Sequence, residues 1–278
     1  MTKVFLYGAF RDNTRSSCVC QDVNFGDLTI YQTMKRFLTK ESFSVDYILP
    51  NEIEKLAALS TSDWLVIGGG GVIHPDLLNT PAIIKCAAKK AVFGIGINWE
   101  HNTRYKTIKG LRDSSRFLKD IPFVCVRDYQ TKEFLGINHA FVYPDVILSN
   151  WIGEAPAGVE KAVVITDTLF SRDGENSICF NSFHARDGAK NIDSISQLIR
   201  FGHVRSRNYH GMLLAFVVNA TAEIYDHNVK HDAFLRSYAD KLDIRYADET
   251  AIVRCKHQKW FCDGANKSLG LLVEFLKQ

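Results

Sequence analysis

The chain has no apolar stretch of membrane-spanning length, no large excess of charge of either sign, and no paired cysteine motif. Each absence removes a class of function. A spanning helix needs about twenty consecutive apolar residues. The first ten residues hold only a short apolar run, without a cleavable signal pattern. A net charge of +3 is too small to argue for nucleic acid, yet it suits a weakly basic cleft for phosphates or carboxylates. Of seven cysteines, only Cys18 and Cys20 are close in sequence, and no second pair completes a zinc-ligand pattern. The others are scattered, several in apolar runs, and read as small core residues in a reducing compartment. There is no internal repeat and no low-complexity tract. A cytoplasmic globular protein without a metal site is expected.

What is present is an alternation. With 46% hydrophobic residues, the 278-residue chain is long for one α/β domain and comfortable for two. Strands are expected at Val4–Tyr7, Val45–Leu49, Trp64–Ile67, Ala91–Ile95, Phe123–Val126 and Ala140–Val142. Helices are expected between them: Leu28–Leu38 with Asp27 as N-cap, Asn51–Leu59, Pro81–Lys89, Tyr105–Leu118 and Tyr129–Leu135. After a Gly- and Ala-rich linker from Ser149 to Glu160 the pattern restarts. Strands then fall at Ala162–Thr166, Ile178–Phe183, His203–Ser206 and Ala222–Tyr225. Helices fall at Ile192–Phe201, Tyr209–Asn219, Val229–Leu242 and Asn266–Leu276. Such β–α alternation builds parallel sheets with helices on both faces. Two Rossmann-like domains facing a cleft are expected, 1–148 and 149–278, with the last helix able to pack back on the first.

Ligands in open α/β sheets bind at the carboxyl ends of strands. Every unusual segment falls there. Gly68 to Gly71 end the most apolar strand, and glycines admit close approach of backbone N–H groups to an anion or sugar; a tight strand-to-helix turn would use them equally. Asn24-Phe25-Gly26-Asp27 opens a helix, where N–H groups can face an anion and Asp27 a sugar hydroxyl. Gly94-Ile95-Gly96 follows another strand, with Trp99, Glu100 and His101 just beyond. Arg127 offers a planar fork for carboxylate or phosphate, and Asp128 can cap the next helix or orient that arginine. Ser206, Arg207, Asn208 and His210 carry the strongest signal: a histidine at a helix start can act as a general acid if its environment raises its pKa. The helix N-terminus opposes that, and a bound phosphate would reverse the balance. His74, His139, His184 and His227 read as surface or structural residues.

The ordered set resembles the polysaccharide pyruvyl transferase family over nearly the whole chain. It comprises the Gly26-Asp27 helix start, the glycine run at 68–71, Gly94-Ile95-Gly96, Val126-Arg127-Asp128 with Thr131, Pro144-Asp145, and Tyr209-His210-Gly211 running into Met212-Leu213-Leu214-Ala215. The resemblance implies a GT-B-like enzyme with no cofactor and no essential metal. It implies transfer of pyruvate from phosphoenolpyruvate (PEP) to two hydroxyls of one sugar, as a cyclic ketal, in exopolysaccharide or cell-surface glycan synthesis. Carried over by position, Arg127 and His210 match the family's PEP-handling residues. The family's second arginine lies two residues before the histidine, where this chain has Asn208; Arg207 stands one position earlier, and Thr131 replaces a serine. On this basis His210, Arg127 and Arg207 are the expected catalytic residues. Asn24, Gly26, Asp27, Gly69, Gly70, Gly71, Asp128, Ser206 and Asn208 are the expected substrate-binding residues. A lipid-linked acceptor would bring the enzyme to the inner membrane face.

Two other functions fit the same architecture. A nucleotide-sugar glycosyltransferase would use a carboxylate near the ribose, for which Glu223 and Asp226 are available. A non-catalytic glycan-binding homologue would account for the exchanged Arg207 and Asn208.

Overall fold

The computed structural model describes residues 1–8, 25–73, 80–97, 113, 115–153, 161–166, 177–179, 201–225, 227–247 and 250–278. They form a mixed α/β structure with two six-stranded sheets. The first sheet is wholly parallel, in the order β2-β1-β3-β4-β5-β6. Its strands are β1 (Lys3–Gly8), β2 (Ser44–Ile48), β3 (Trp64–Ile73), β4 (Lys89–Ile97), β5 (Val124–Val126) and β6 (Phe141–Val142). Three helices belong to this part: α1 (Phe25–Lys40), α2 (Thr80–Lys85) and α3 (Tyr129–Leu135). The chain leaves β1 for β2 on one side and returns to β3 on the other. That reversal opens a crevice at the carboxyl ends of β1 and β3, the place where such sheets bind ligands.

The second sheet comprises β7 (Lys161–Thr166), β8 (Ser177–Cys179), β9 (Phe201–Ser206), β10 (Thr221–Tyr225), β11 (Leu242–Ala247) and β12 (Thr250–Cys255). Its order is β11-β12-β10-β9-β7-β8. Strands β7 to β10 pair in parallel, whereas β12 runs antiparallel to both β10 and β11. Helix α4 (Tyr209–Val217) follows β9, α5 (Val229–Ser237) follows β10, and α6 (Gln258–Leu276) ends the chain. Here too the strand order reverses, between β7 and β9, and α4 begins beside that point.

One buried apolar cluster runs from the first sheet into the second. It joins Val4, Leu28, Met34 and Phe93 to Met212, Phe216, Phe234, Val253 and Leu272. The opposite face of the first sheet has its own cluster around Tyr7, Ile67, Val92, Leu118 and Phe134. Helix α6 spans the shared core. Its Phe261 stacks on Phe234 at 5.7 Å, and its Phe275 lies 5.2 Å from Trp64 and 5.1 Å from Phe123. Lys277 closes the end of the chain on Glu41 at 2.7 Å.

Several expectations need correction. Asp27 lies inside the first turn of α1 instead of capping it, because the helix starts at Phe25. Residues Pro50–Ala58 wind as a 3-10 helix with a kink at Glu52. Helix α2 stops at Lys85, since Lys89 already pairs with Trp64 in the sheet. The glycine run lies within β3 and not at its end: Gly68 pairs with Phe93 and Gly70 with Ile95. The second sheet is not all parallel, because α5 ends at Ser237 and the segment after it forms the β11–β12 hairpin. Helix α6 starts eight residues before Asn266; Phe261, Ala265, Leu269, Leu272 and Leu276 continue one stripe through its polar first half. The expected helices at 105–118 and 192–201 fall mainly outside the described residues, where only Arg116–Asp120 is seen, as a 3-10 turn. No helix among the described residues is long and apolar enough to cross a membrane.

Leu272 is wholly buried where α6 crosses the shared core. Truncation of a buried leucine costs about 2–5 kcal/mol. Leu272→Ala should lower the urea midpoint correspondingly without changing the slope of the transition.

Candidate active site

The site is built around Arg127. Strand β5 ends at Val126, so the next two residues stand at the carboxyl edge of the first sheet. The Arg127 side chain turns inward and is 1% exposed. Its guanidinium carbon lies 4.2 Å from the centre of the Tyr209 ring, in cation–π contact. Nη1 is 3.5 Å from Asp145 Oδ2, and Nε is 3.8 Å from Asp128 Oδ2. These are ion-pair distances; among the described residues none of the three guanidinium nitrogens has a hydrogen-bond partner.

Each partner is held by its own local structure. Asp128 caps α3, accepting from the Thr131 N–H at 2.6 Å, and Thr131 Oγ1 accepts from the Ile97 N–H at 3.2 Å. That tie joins the start of α3 to the end of β4. Asp145 caps the 3-10 turn Val146–Asn150 through Oδ1, which accepts from the Ile147 N–H at 3.1 Å. Its Oδ2 is buried without a hydrogen-bond partner. Tyr238, just past α5, donates its hydroxyl to the Arg127 carbonyl at 3.0 Å, so the second half of the chain fixes the arginine's backbone.

Glycines make room for this arrangement. A Cβ on Gly96 would overlap Arg127 Nε, and a Cβ on Gly26 would overlap the His210 imidazole. The first turns of α1 and α4 therefore meet at Gly26 and His210. Gly70, at φ +122°, leaves a gap: a Cβ there would stand 3.6 Å from Arg127 Nη1 and 3.9 Å from His210 Nε2. Two hydrogen-bonding groups thus converge on one point. His210 Nε2 is buried and has no partner among the described residues, and the same holds for the Tyr209 hydroxyl.

The electrostatics follow from burial. Desolvation and the Arg127 charge hold His210 well below the usual histidine range, so its imidazole is neutral near pH 7. Burial raises both Asp128 and Asp145, against the lowering effect of Arg127. His231, on α5 and wholly buried, is pushed down to about 3, mainly by burial. Its Nδ1 accepts from the Asn228 N–H at 3.3 Å.

Of the residues expected from sequence, the structure brings Gly26, Gly70, Arg127, Asp128 and His210 together. Asp27 is buried in the first turn of α1. Gly69 is buried at φ +88°, and Gly71 is partly exposed on the same strand. Ser206 is buried, and its Oγ accepts from the Asn208 N–H at 3.0 Å, which shapes the turn into α4. Asn208 is the N-cap residue of α4 without a side-chain capping bond. Arg207 is exposed in that turn, which sets it apart from the buried guanidinium of Arg127. Asn24, His74, Trp99, Glu100, His101, His184 and Asp226 lie outside the described residues. Glu223 is engaged by His203 at 2.7 Å and Arg205 at 3.1 Å. Tyr209, Gly96 and Asp145 stood within motifs but had no assigned role; their signal was adjacency to Arg127 and His210 or a Gly-x-Gly spacing. Tyr238 and His231 had no signal in the sequence.

A family model described as polysaccharide pyruvyl transferase matches residues 24–249. The chain belongs to the polysaccharide pyruvyl transferase family. The matched span includes every described residue around Arg127. Among solved structures, the chain is similar to a functionally uncharacterised protein from Klebsiella pneumoniae subsp. pneumoniae. The TM-score is 0.51 at 17% identity, with 84% of this chain and 88% of that one covered. At that identity the likeness concerns the fold alone. No curated protein matches the chain.

Two outcomes follow for this family member. Gly96→Ala should cost roughly 1–3 kcal/mol through overpacking, and a double-mutant cycle with Arg127→Met should show a coupling of about 0.5–3 kcal/mol. His231 is neutral when folded and titrates normally when unfolded, so the unfolded state binds the extra proton between about 3 and the ordinary histidine value of about 6.5. Its contribution is complete above that window and is lost as pH falls through it. Urea midpoints measured from pH 7 to pH 4 should fall less steeply for His231→Gln than for the parent.

Proposed function

We propose that this protein transfers pyruvate from PEP to two hydroxyls of one sugar, forming a cyclic ketal during synthesis of a surface glycan. Family membership supports pyruvyl transfer to a sugar or polysaccharide acceptor. One observation carries the finer assignment of donor and site. Among the described residues the buried guanidinium of Arg127 and the buried Nε2 of His210 both lack hydrogen-bond partners, and they converge on the gap left by Gly70. Buried donors without partners are costly, and an anion with several oxygen acceptors would satisfy them together.

In this scheme Arg127 holds the carboxylate or phosphate of PEP through its planar fork. His210, neutral in the empty site, gains a proton as phosphate charge arrives, and stabilises the phosphate as it leaves. Arg207, exposed in the turn before α4, would have to swing toward Arg127 to act as a second clamp on the donor. The first turns of α1 and α4 add their N–H groups and dipoles to the same anion. The two sheets act as the lobes of a GT-B-like cleft that takes donor and acceptor. Glu223, committed to His203 and Arg205, is not favoured as a ribose-binding carboxylate.

The test is phosphate release from PEP across a panel of sugar and oligosaccharide acceptors, with mass spectrometry of the products. Acceptor-dependent release with a pyruvyl mass gain is expected; turnover of nucleotide-sugars in its place would defeat the proposal. Arg127→Lys keeps the charge but loses the fork. It should weaken PEP binding by at least about tenfold, read by calorimetry. His210→Ala should retain PEP but lose turnover by roughly 10²-fold or more.

A further inference from the structure

The proposed chemistry needs an acid that protonates the methylene carbon of PEP. His210 is neutral before the donor arrives, and in the scheme above the proton it then gains serves the departing phosphate. We propose that Asp145 is this acid: it carries a proton on Oδ2 before the donor binds and delivers it to the donor's methylene carbon. The inference rests on PEP being the donor.

Charge balance points to a protonated carboxyl. Arg127, Asp128 and Asp145 are 1%, 2% and 2% exposed, and one guanidinium faces two carboxyl groups in a site closed to water. Two buried carboxylates around one cation leave an uncompensated negative charge, which a proton on one of them removes. Asp128 is the better anion. Its Oδ1 accepts from Thr131 at 2.6 Å, and it caps α3, whose dipole favours negative charge. Asp145 Oδ1 accepts a longer bond, 3.1 Å from Ile147. Among the described residues its Oδ2 has no hydrogen-bond partner and only the long 3.5 Å ion-pair contact with Arg127 Nη1, which leaves that oxygen able to carry a proton. Among the described residues the ionisable groups that face Asp145 are Arg127, Asp128 and Tyr209. Burial raises Asp145 against the pull of Arg127.

Location agrees with the role. Arg127 Nη1 touches both sides: it lies 3.5 Å from Asp145 Oδ2 and 3.6 Å from the point where a Gly70 Cβ would stand, the gap that His210 also borders. Arg127 Nη1 is thus the atom common to Asp145 and to the gap that His210 borders. The step balances. The π pair of the PEP double bond takes the Oδ2 proton at the methylene carbon, and the cation formed at C2 is stabilised by its ester oxygen. The first sugar hydroxyl bonds to C2 and returns its proton to the Asp145 carboxylate. The C2–O bond to phosphate then breaks with its electron pair. The second hydroxyl closes the ketal, and its proton leaves with the phosphate.

The test begins without any ligand. Infrared difference spectra of the whole protein at neutral pH should contain the carbonyl stretch of a protonated carboxylic acid, shifted in deuterium oxide and missing from Asp145→Asn. The asparagine keeps Oδ1 for the Ile147 N–H, and thermal unfolding checks that the variant is folded. With an acceptor that the parent enzyme uses, Asp145→Asn should bind PEP as well as or better than the parent and lose turnover by about 10²–10⁴-fold. In the parent, turnover should fall as pH rises through the Asp145 pKa; the residual activity of Asp145→Asn should lack that limb. No protonated carboxyl in the parent, or near-parent turnover in Asp145→Asn, overturns the assignment. A parent protein that binds no PEP instead defeats the choice of donor, and the infrared result still reports whether Asp145 holds the proton.

Discussion

The burial of one guanidinium organises this molecule. Arg127 lies against the face of Tyr209, between two carboxyl groups, with its carbonyl bound by Tyr238. Only Arg127 and Asp128 come from one stretch of chain; Asp145, Tyr209 and Tyr238 come from three others. The arginine therefore cannot be seated until the first sheet, the 3-10 turn after β6, and helices α4 and α5 have come together. Removing one member of such a buried set leaves the others unpaired, which is why these groups are expected to be coupled energetically.

The glycines become intelligible in this light. Gly26 and Gly96 are small because His210 and Arg127 occupy the space a side chain would need. Gly68 is small because the Phe93 carbonyl of β4 approaches it closely, and Gly69 and Gly70 take positive φ angles within β3. The strand thereby passes beside the arginine and leaves a gap bordered by Arg127 Nη1, His210 Nε2 and the Ile30 Cδ1 methyl. A site with unsatisfied donors at its centre is costly to the empty protein, and that cost is what a bound anion would relieve.

The shared core gives the site its second property, which is stiffness. The cluster that contains Met34 and Phe93 also contains Met212, Phe234 and Leu272, so packing continues from one sheet to the other beneath the site. Helix α6 carries the contact onward to Trp64 and Phe123. Groups that must converge on one ligand are thus positioned by close packing rather than by loops alone.

The sequence by itself determined the α/β class, most strands of the first sheet, and the short segments that carry the chemistry. Period-two apolar runs, and Arg127, Asp128 and His210 at strand-to-helix passages, are local signals that survive without a partner. The β11–β12 hairpin and the polar first half of α6 were not legible, because their pattern depends on β10 and Phe234, far away in the chain. Tertiary structure alone decided that Gly26 faces His210, that Arg127 rests on Tyr209, and that Asp145 faces the arginine with an unpartnered oxygen. The physical reason is that burial and charge balance are properties of neighbours in space. A lone aspartate after a proline carries no sign of its ionisation state until a buried cation and a second carboxyl group are placed beside it.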